Sequence, residues 1–235
     1  MRAQPQTISV IVPTLQEEKY LAKTLPKLVR LKPPAEIIVV DGSSRDKTID
    51  VAKRFTNKIF QIGKRGIGKA KNYGAKQANG EILVFLDADV NVPQNLVEEV
   101  LEVFSDARVA GATCNVLFAQ PKLHEAIFSK FYNFLVQASF WFKPHCQGKF
   151  LAVRKNYFLK VGGFDESMPC LEDHDLAFRL SKLGKFVFIK GLTVYEFPRR
   201  FRKLGLFCVV GTWMMDYLSF MFRGKPQSKV WQPVR

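Results

Sequence analysis

EILVFLDADV, residues 81–90, is an apolar run of strand length that ends on two carboxylates one residue apart, Asp87 and Asp89. An unbroken apolar run bounded by turn formers marks a strand covered on both faces, as in a parallel sheet. Runs of the same kind stand upstream at ISVIVP (8–13), EIIVVD (36–41) and KIFQI (58–62). Between them lie stretches of helical length and period, 17–31, 46–55 and 67–79, the last with Ile67, Ala70, Gly74 and Ala78 on one face. Strands alternating with helices predict an α/β fold, a mostly parallel central sheet with helices on both faces. Ligands of such sheets bind outside the carboxyl ends of the strands, so Asp41 and Asp87, both at such ends, should face one crevice.

The second half changes character. After VAGATCNVLF (109–118), 125–142 reads as a long aromatic helix, 172–183 as a short helix and KFVFIKGLTVYEF (185–197) as a strand, a mixed rather than βαβ order. No internal repeat and no long linker divides the chain.

The 235 residues suffice for one domain with a small appendage, and 47% apolar content excludes a disordered chain. Basic residues outnumber acidic ones by 36 to 21, a net charge of +15 that suits an anionic partner without choosing among nucleic acid, lipid and phosphorylated small molecules. Cys114, Cys146, Cys170 and Cys208 form no CxxC pair and read as buried free thiols of a reducing compartment. No apolar h-region opens the chain, so a cytoplasmic location is expected.

Two carboxylates in D-x-D on a strand point to one face, which suits a cation bridging them to a diphosphate, Mg²⁺ or Mn²⁺ by their preference for oxygen ligands. The same residues also suit a strand ending in a polar turn. GKRGIGKA (63–70) follows a strand and opens a helix, but Ala70 stands where a phosphate-binding P-loop needs a hydroxyl. Its Lys64, Arg65, Lys69 and Lys71 either line a phosphate-bearing site or form a solvated loop. In LEDHDLAFRL (171–180), Glu172, Asp173 and Asp175 satisfy a helix dipole, or one of them projects into the crevice as a general base. His124, His145 and His174 lack metal-ligand spacing, and only His174, within the acidic cluster, is a candidate third ligand.

Five segments, in order, resemble the family 2 glycosyltransferases: SVIVPTLQEEKYL (9–21), EIIVVDGSSRDKT (36–48), NYGAKQANGEILVFLDAD (72–89), VRKNYFLKVGGFDES (153–167) and LEDHDLAFRL. The resemblance covers about residues 7–205. It implies the GT-A nucleotide-diphospho-sugar transferase fold and a metal-dependent, inverting transfer from a nucleotide-diphospho-sugar. It places Pro13, Glu17 and Asp41 against the base and ribose, and Asp87 and Asp89 on the metal and diphosphate. Asn91 is a further possible ligand, Asp173 the base, and Glu172 its neighbour. Asp89, expected farther out at the strand mouth, is the direct ligand; Asp87 reaches the metal through water or contacts the donor sugar or ribose. YEFPRRFRKLG (195–205) replaces the QxxRW motif of processive members, so a short, non-processive enzyme is implied, with Arg199 or Arg200 against the diphosphate or acceptor. The implied acceptor is a glycan, glycolipid or polyprenyl phosphate. A nucleotidyltransferase and a non-enzymatic basic module are the alternatives; no nucleic-acid motif is present.

LGLFCVVGTWMMDYLSFMF (204–222) carries one charge and approaches bilayer length. Phe207, Val210, Met214, Tyr217 and Met221 fall on one face, Cys208, Thr212, Asp216 and Ser219 on another, which predicts an amphipathic helix lying on a membrane surface or packed on the domain, a single C-terminal anchor being the alternative. The chain thus divides into a GT-A-like domain, 1–203, and a membrane-associating appendage, 204–235.

Overall fold

The computed structural model describes residues 6–63, 66–140 and 144–228. Lys64 and Arg65 of the glycine-rich loop, the end of the 125–142 helix and the last seven residues of the appendage lie outside them. Its strands are β1 (Ile8–Thr14), β2 (Glu36–Asp41), β3 (Ile59–Gln61), β4 (Ile82–Leu86), β5 (Val90–Asn91), β6 (Val109–Phe118), β7 (Phe150–Arg154) and β8 (Lys185–Glu196). The helices are α1 (Glu18–Leu28), α2 (Thr48–Ala52), α3 (Ile67–Gln77), α4 (Leu96–Phe104), α5 (Leu123–Ser139), α6 (Lys155–Lys160), α7 (Glu172–Ser181), α8 (Arg199–Leu204) and α9 (Leu206–Arg223).

All eight strands join one sheet in the order β3-β2-β1-β4-β7-β6-β8-β5. The first four are parallel, as the apolar runs predict, whereas β7 enters antiparallel between β4 and β6, and β5 closes the far edge antiparallel to β8. Successive residues of β1 point to opposite faces: Val10 and Val12 pack with α1, α2 and α4, while Ile11 packs with α3, α6 and α7. Two cores follow, one on each face of the sheet. On the α3 side the approach is close. A Cβ at Gly74 would stand 2.4 Å from Ile11 Cγ2, so only glycine lets α3 sit this near β1.

A third, smaller cluster of Phe118, Phe201 and Val209, with Phe128, Leu206, Val210 and Trp213 against it, fastens α5, α8 and α9 to the end of β6. Gly205, at φ 84°, separates the short α8 from α9, and α9 covers nearly all of the helix expected over 204–222. No helix among the described residues is long and apolar enough to cross a membrane, which leaves the alternative of a C-terminal anchor without a span there. At 18 residues α9 reaches about 27 Å, and it carries Asp216 in its middle.

Three of the four cysteines are buried and free as expected; Cys208 is free but exposed, because it lies on the outer side of α9.

Candidate functional site

Strand register assembles the site. β4 stops at Leu86, so Asp87 and Asp89 sit in the turn that leads into β5 rather than on a strand. β7 runs antiparallel beside β4 with Leu86 opposite Phe150, which sets Lys149 next to Asp87, whose N–H donates to the Lys149 carbonyl at 3.4 Å. β5 pairs with β8 so that Val90 faces Glu196, and Phe197 N–H donates to the Asp89 carbonyl at 3.3 Å. Three elements distant in sequence thereby bring three carboxylates around one ammonium. Lys149 Nζ lies 3.1 Å from Asp87, 3.1 Å from Asp89 and 3.3 Å from Glu196.

Arg199, in the first turn of α8, extends the chain of ion pairs. Its Nε is 3.0 Å from Asp89, and its two terminal nitrogens grip Glu17 at 2.6 and 2.8 Å in a bidentate pair. Burial alone would raise Asp89, but Lys149 and Arg199 outweigh it and hold the carboxylate below its ordinary value. Burial raises Glu196 to about 7 despite Lys149, and raises Glu17 despite Arg199. The order of the D-x-D pair is the reverse of that expected: the Asp89 side chain is 1% exposed and that of Asp87 21%. The turn into β5 tucks Asp89 under Arg199 and leaves Asp87 at the mouth.

A second charged group lies at the start of α7. Lys71, from α3, is fully enclosed and places its ammonium 2.6 Å from Asp173 and 2.9 Å from Glu172, above the Phe164 ring at 5.0 Å. One cation faces two buried carboxylates. Burial first, then the charge of Glu172, pushes Asp173 up to about 8, with Lys71 pulling the other way and the charge of Asp87 adding to the rise. The same carboxylates hold Lys71 above its ordinary value against burial. Gly148 closes one side, since a Cβ there would stand 2.6 Å from Asp173 Oδ2. Leu171, just before α7, adopts a left-handed backbone at φ 60°. A leucine there costs about 1–2 kcal/mol, which the burial of Glu172 and Asp173 behind it must over-determine.

The remaining predicted residues fall as follows. Pro13 stands in β1 opposite Val40. Asp41 ends β2 fully buried, accepting hydrogen bonds from Thr14 Oγ1 (2.9 Å), Ser44 N (2.7 Å) and Ser44 Oγ (2.5 Å), so its oxygens organise the following turn. Arg200 is half-buried beside Arg199, and burial and that neighbour lower it. Lys69 lies half-buried in the first turn of α3 and enters neither group of ion pairs. Lys71, expected to face phosphate, instead faces the acidic pair, because it lies two residues on from Lys69 and α3 turns it inward. Lys149, Glu196 and Gly148 were not anticipated; the only local signal was a basic residue directly before an apolar strand.

His174 Nε2 lies 2.7 Å from His145 Nε2, and Tyr132 Oη 3.2 Å from the same His145 nitrogen. Burial lowers both histidines, His145 to about 4, so the pair is neutral near pH 7. It packs α7 against Tyr132 of α5 and Tyr217 of α9. A depression of about 560 Å³ between Val29, Glu36, Lys53 and Lys58 opens at the amino end of β2, opposite the carboxylates.

Asp87, Asp89 and Asn91 supply only oxygen donors of the kind Mg²⁺ and Mn²⁺ prefer, and Asn91 Oδ1 is buried with no hydrogen-bond partner. No group of three or more acidic, histidine or cysteine side chains among the described residues is set to enclose a metal. Two carboxylates and one orphaned amide oxygen therefore fit a hard cation that shares its shell with substrate phosphates.

The sequence model of "Glycosyl transferase family 2" matches residues 9–163, more than half of the chain. Similar proteins include the poly(ribitol-phosphate) beta-N-acetylglucosaminyltransferase TarS of Staphylococcus aureus, 37% identical over 34% of this chain and 16% of that protein. The probable glycosyltransferase YdaM of Bacillus subtilis is 30% identical over 75% of this chain and 47% of YdaM. The chain thus spans less than half the length of these two relatives. Among solved structures, the mannosyltransferase of Pyrobaculum calidifontis in complex with GDP-Man and Mn²⁺ shares the fold at a TM-score of 0.70, with 22% identity, over 83% of this chain and 57% of that one.

Proposed function

The chain belongs to glycosyl transferase family 2, and from that premise we propose that it transfers a sugar from a nucleotide-diphospho-sugar to an acceptor in one displacement, with inversion. The observation that carries this reading is the buried Lys71–Glu172–Asp173 group, near enough to the D-x-D turn that the charge of Asp87 raises Asp173. Asp173 takes the acceptor hydroxyl proton as that oxygen bonds the anomeric carbon, and the bond from that carbon to the diphosphate breaks with its electron pair leaving on the nucleoside diphosphate. Lys71 is a positioning residue: it holds Asp173 in one rotamer and opposes the effect of burial, so that an ionised base is attainable near neutral pH.

Asp87, Asp89 and Asn91 would hold Mg²⁺ or Mn²⁺, which when bound neutralises charge on the diphosphate. Lys149 and Arg199 balance the same carboxylates from the protein side, Arg200 adds positive charge beside them, and Lys69 borders the crevice. In this reading Pro13 and Glu17 line the nucleoside end, with Asp41 shaping the turn beneath it. The acceptor is a glycan, glycolipid or polyprenyl phosphate; an anionic one accords with the net charge of +15 and with the poly(ribitol-phosphate) in the name of TarS. Residues 1–203 carry this chemistry at the cytoplasmic face of a membrane, with 204–235 as the membrane-associating appendage.

A thermal-shift screen of sugar nucleotides with and without Mn²⁺ tests the proposal, since a ligand of the native state raises its melting temperature. The expected result is a shift with one donor, larger with Mn²⁺, together with slow donor hydrolysis. Pyrophosphate release from a nucleoside triphosphate, without any sugar-nucleotide shift, would favour a nucleotidyltransferase.

A further inference from the structure

Helix α9 is turned inside out. Its one carboxylate, Asp216, is 2% exposed and points into the protein, where it accepts hydrogen bonds from Ser228 N (2.7 Å) and Ser228 Oγ (2.8 Å). Phe207 and Phe222, by contrast, are 91% and 85% exposed, with Met214 and Leu218 between them on the same outer face. A surface helix of a protein bathed only in water has the opposite arrangement. Its neighbour α5 repeats the pattern: buried Glu125 and Asn133 face inward, and Phe131 and Phe134 face out. The two helices touch through Tyr132 and Trp213, 5.9 Å apart. Apolar faces of this extent on adjacent helices exceed the scattered exposed residues normal for a surface.

We infer that the outer faces of α5 and α9 together form a docking surface for an anionic lipid bilayer, with both helices lying in the headgroup region. Charge selects this occupant. Lys130, Arg223 and Lys225 are exposed on or just beyond these helices, and the chain carries +15, so a second copy would bring like charges together whereas anionic headgroups complement them. Depth is set by the helices themselves, since none among the described residues can cross a membrane. The surface also connects to the chemistry. Tyr217 of α9 packs on His145 and His174 at 5.3 and 6.0 Å, and His174 follows Asp173 on α7. Docking would therefore set the start of α7 at a fixed height above the bilayer, within reach of a lipid-borne acceptor.

This inference rests on and deepens the peripheral placement proposed above, adding α5 and naming the partner. Its test is co-flotation of the full chain with vesicles of phosphatidylcholine, with and without phosphatidylglycerol, for the wild type, Phe207→Ser/Phe222→Ser and Phe131→Ser/Phe134→Ser. Binding to the anionic vesicles should weaken about tenfold or more in each double variant and fall with added salt. Equal binding by wild type and variants, or no binding by the wild type, would overturn it; so would a dimer in solution that the same substitutions dissociate. Donor hydrolysis without vesicles is read in parallel and should be equal in all three proteins. Loss of hydrolysis in every one, with vesicle binding intact, would sink the transferase reading and leave the docking surface standing.

Discussion

The floor of the crevice and the outer face of α5 and α9 both break the rule that apolar groups go inside, in opposite senses. In the crevice, Lys71, Asp89, Glu172 and Asp173 are buried charges. On α5 and α9, phenylalanines and methionines stand in the open. The buried charges come in opposed sets, because an ion left alone in the interior costs several kcal/mol. The exposed apolar side chains have no such compensation within the chain, because leaving them out costs the fold little beyond lost burial. Substitution in the first region should therefore disturb chemistry, and folding as well wherever it leaves a buried charge unpaired, whereas in the second it should disturb neither and alter only what docks there.

The sharpest way to break this contrast is Asp173→Asn. Donor turnover should fall about 10²- to 10⁴-fold, the range for a lost general base, while the melting temperature holds or rises. The sign follows from the raised folded-state value near 8: stability from this group is fully present below its unfolded value and is lost as pH rises through about 8, so at neutral pH the amide should relieve the penalty of burying an ionised carboxylate, with Glu172 still pairing Lys71. Wild-type activity should accordingly climb with pH through the neutral range, read as a pH–rate profile. Full activity in the variant would remove Asp173 from the base role.

Lys71→Met comes next. It strands two buried carboxylates and should cost about 3–5 kcal/mol in denaturant melts, with much of that recovered in Lys71→Met/Glu172→Gln, where one positive and one negative charge leave together. No recovery would mean that Lys71 matters as packing, not as a counter-charge.

Gly148→Ala separates position from charge. The added Cβ presses on Asp173 Oδ2, and a displacement on the order of 1 Å should lower kcat about 10²-fold with a smaller effect on KM. Unchanged kinetics would show that Asp173 has room to move.

The smallest effect belongs to the other region: Phe207→Ser/Phe222→Ser should change stability in solution by no more than about 0.5 kcal/mol, as for exposed sites elsewhere. A large loss on thermal melting would mean that this face is part of the core after all.

The four parallel strands, and α1 to α3 between them, were legible because each is a local pattern: an apolar run ended by a turn, then a helical period. The mixed half was legible only as elements, since nothing local says that β7 inserts antiparallel beside β4. That one insertion makes Lys149 a partner of Asp87, Asp89 and Glu196, none of them near it in sequence. Lys71 shows the same limit. Its place in a basic, glycine-rich stretch suggests phosphate, but α3 packs closely on β1 through Gly74 and directs Lys71 to the acidic pair.

What the amino-acid order determined by itself is the α/β alternation, the carboxylates at the strand ends and the acidic first turn of α7, because hydrophobic period and turn chemistry act over a few residues. Which charges meet, how deeply Asp89 is tucked, and that α9 turns Asp216 inward and its phenylalanines outward were decided only by tertiary structure. Pairing and burial depend on strand register and on helices fastened across the sheet, and those contacts join segments that no local pattern links.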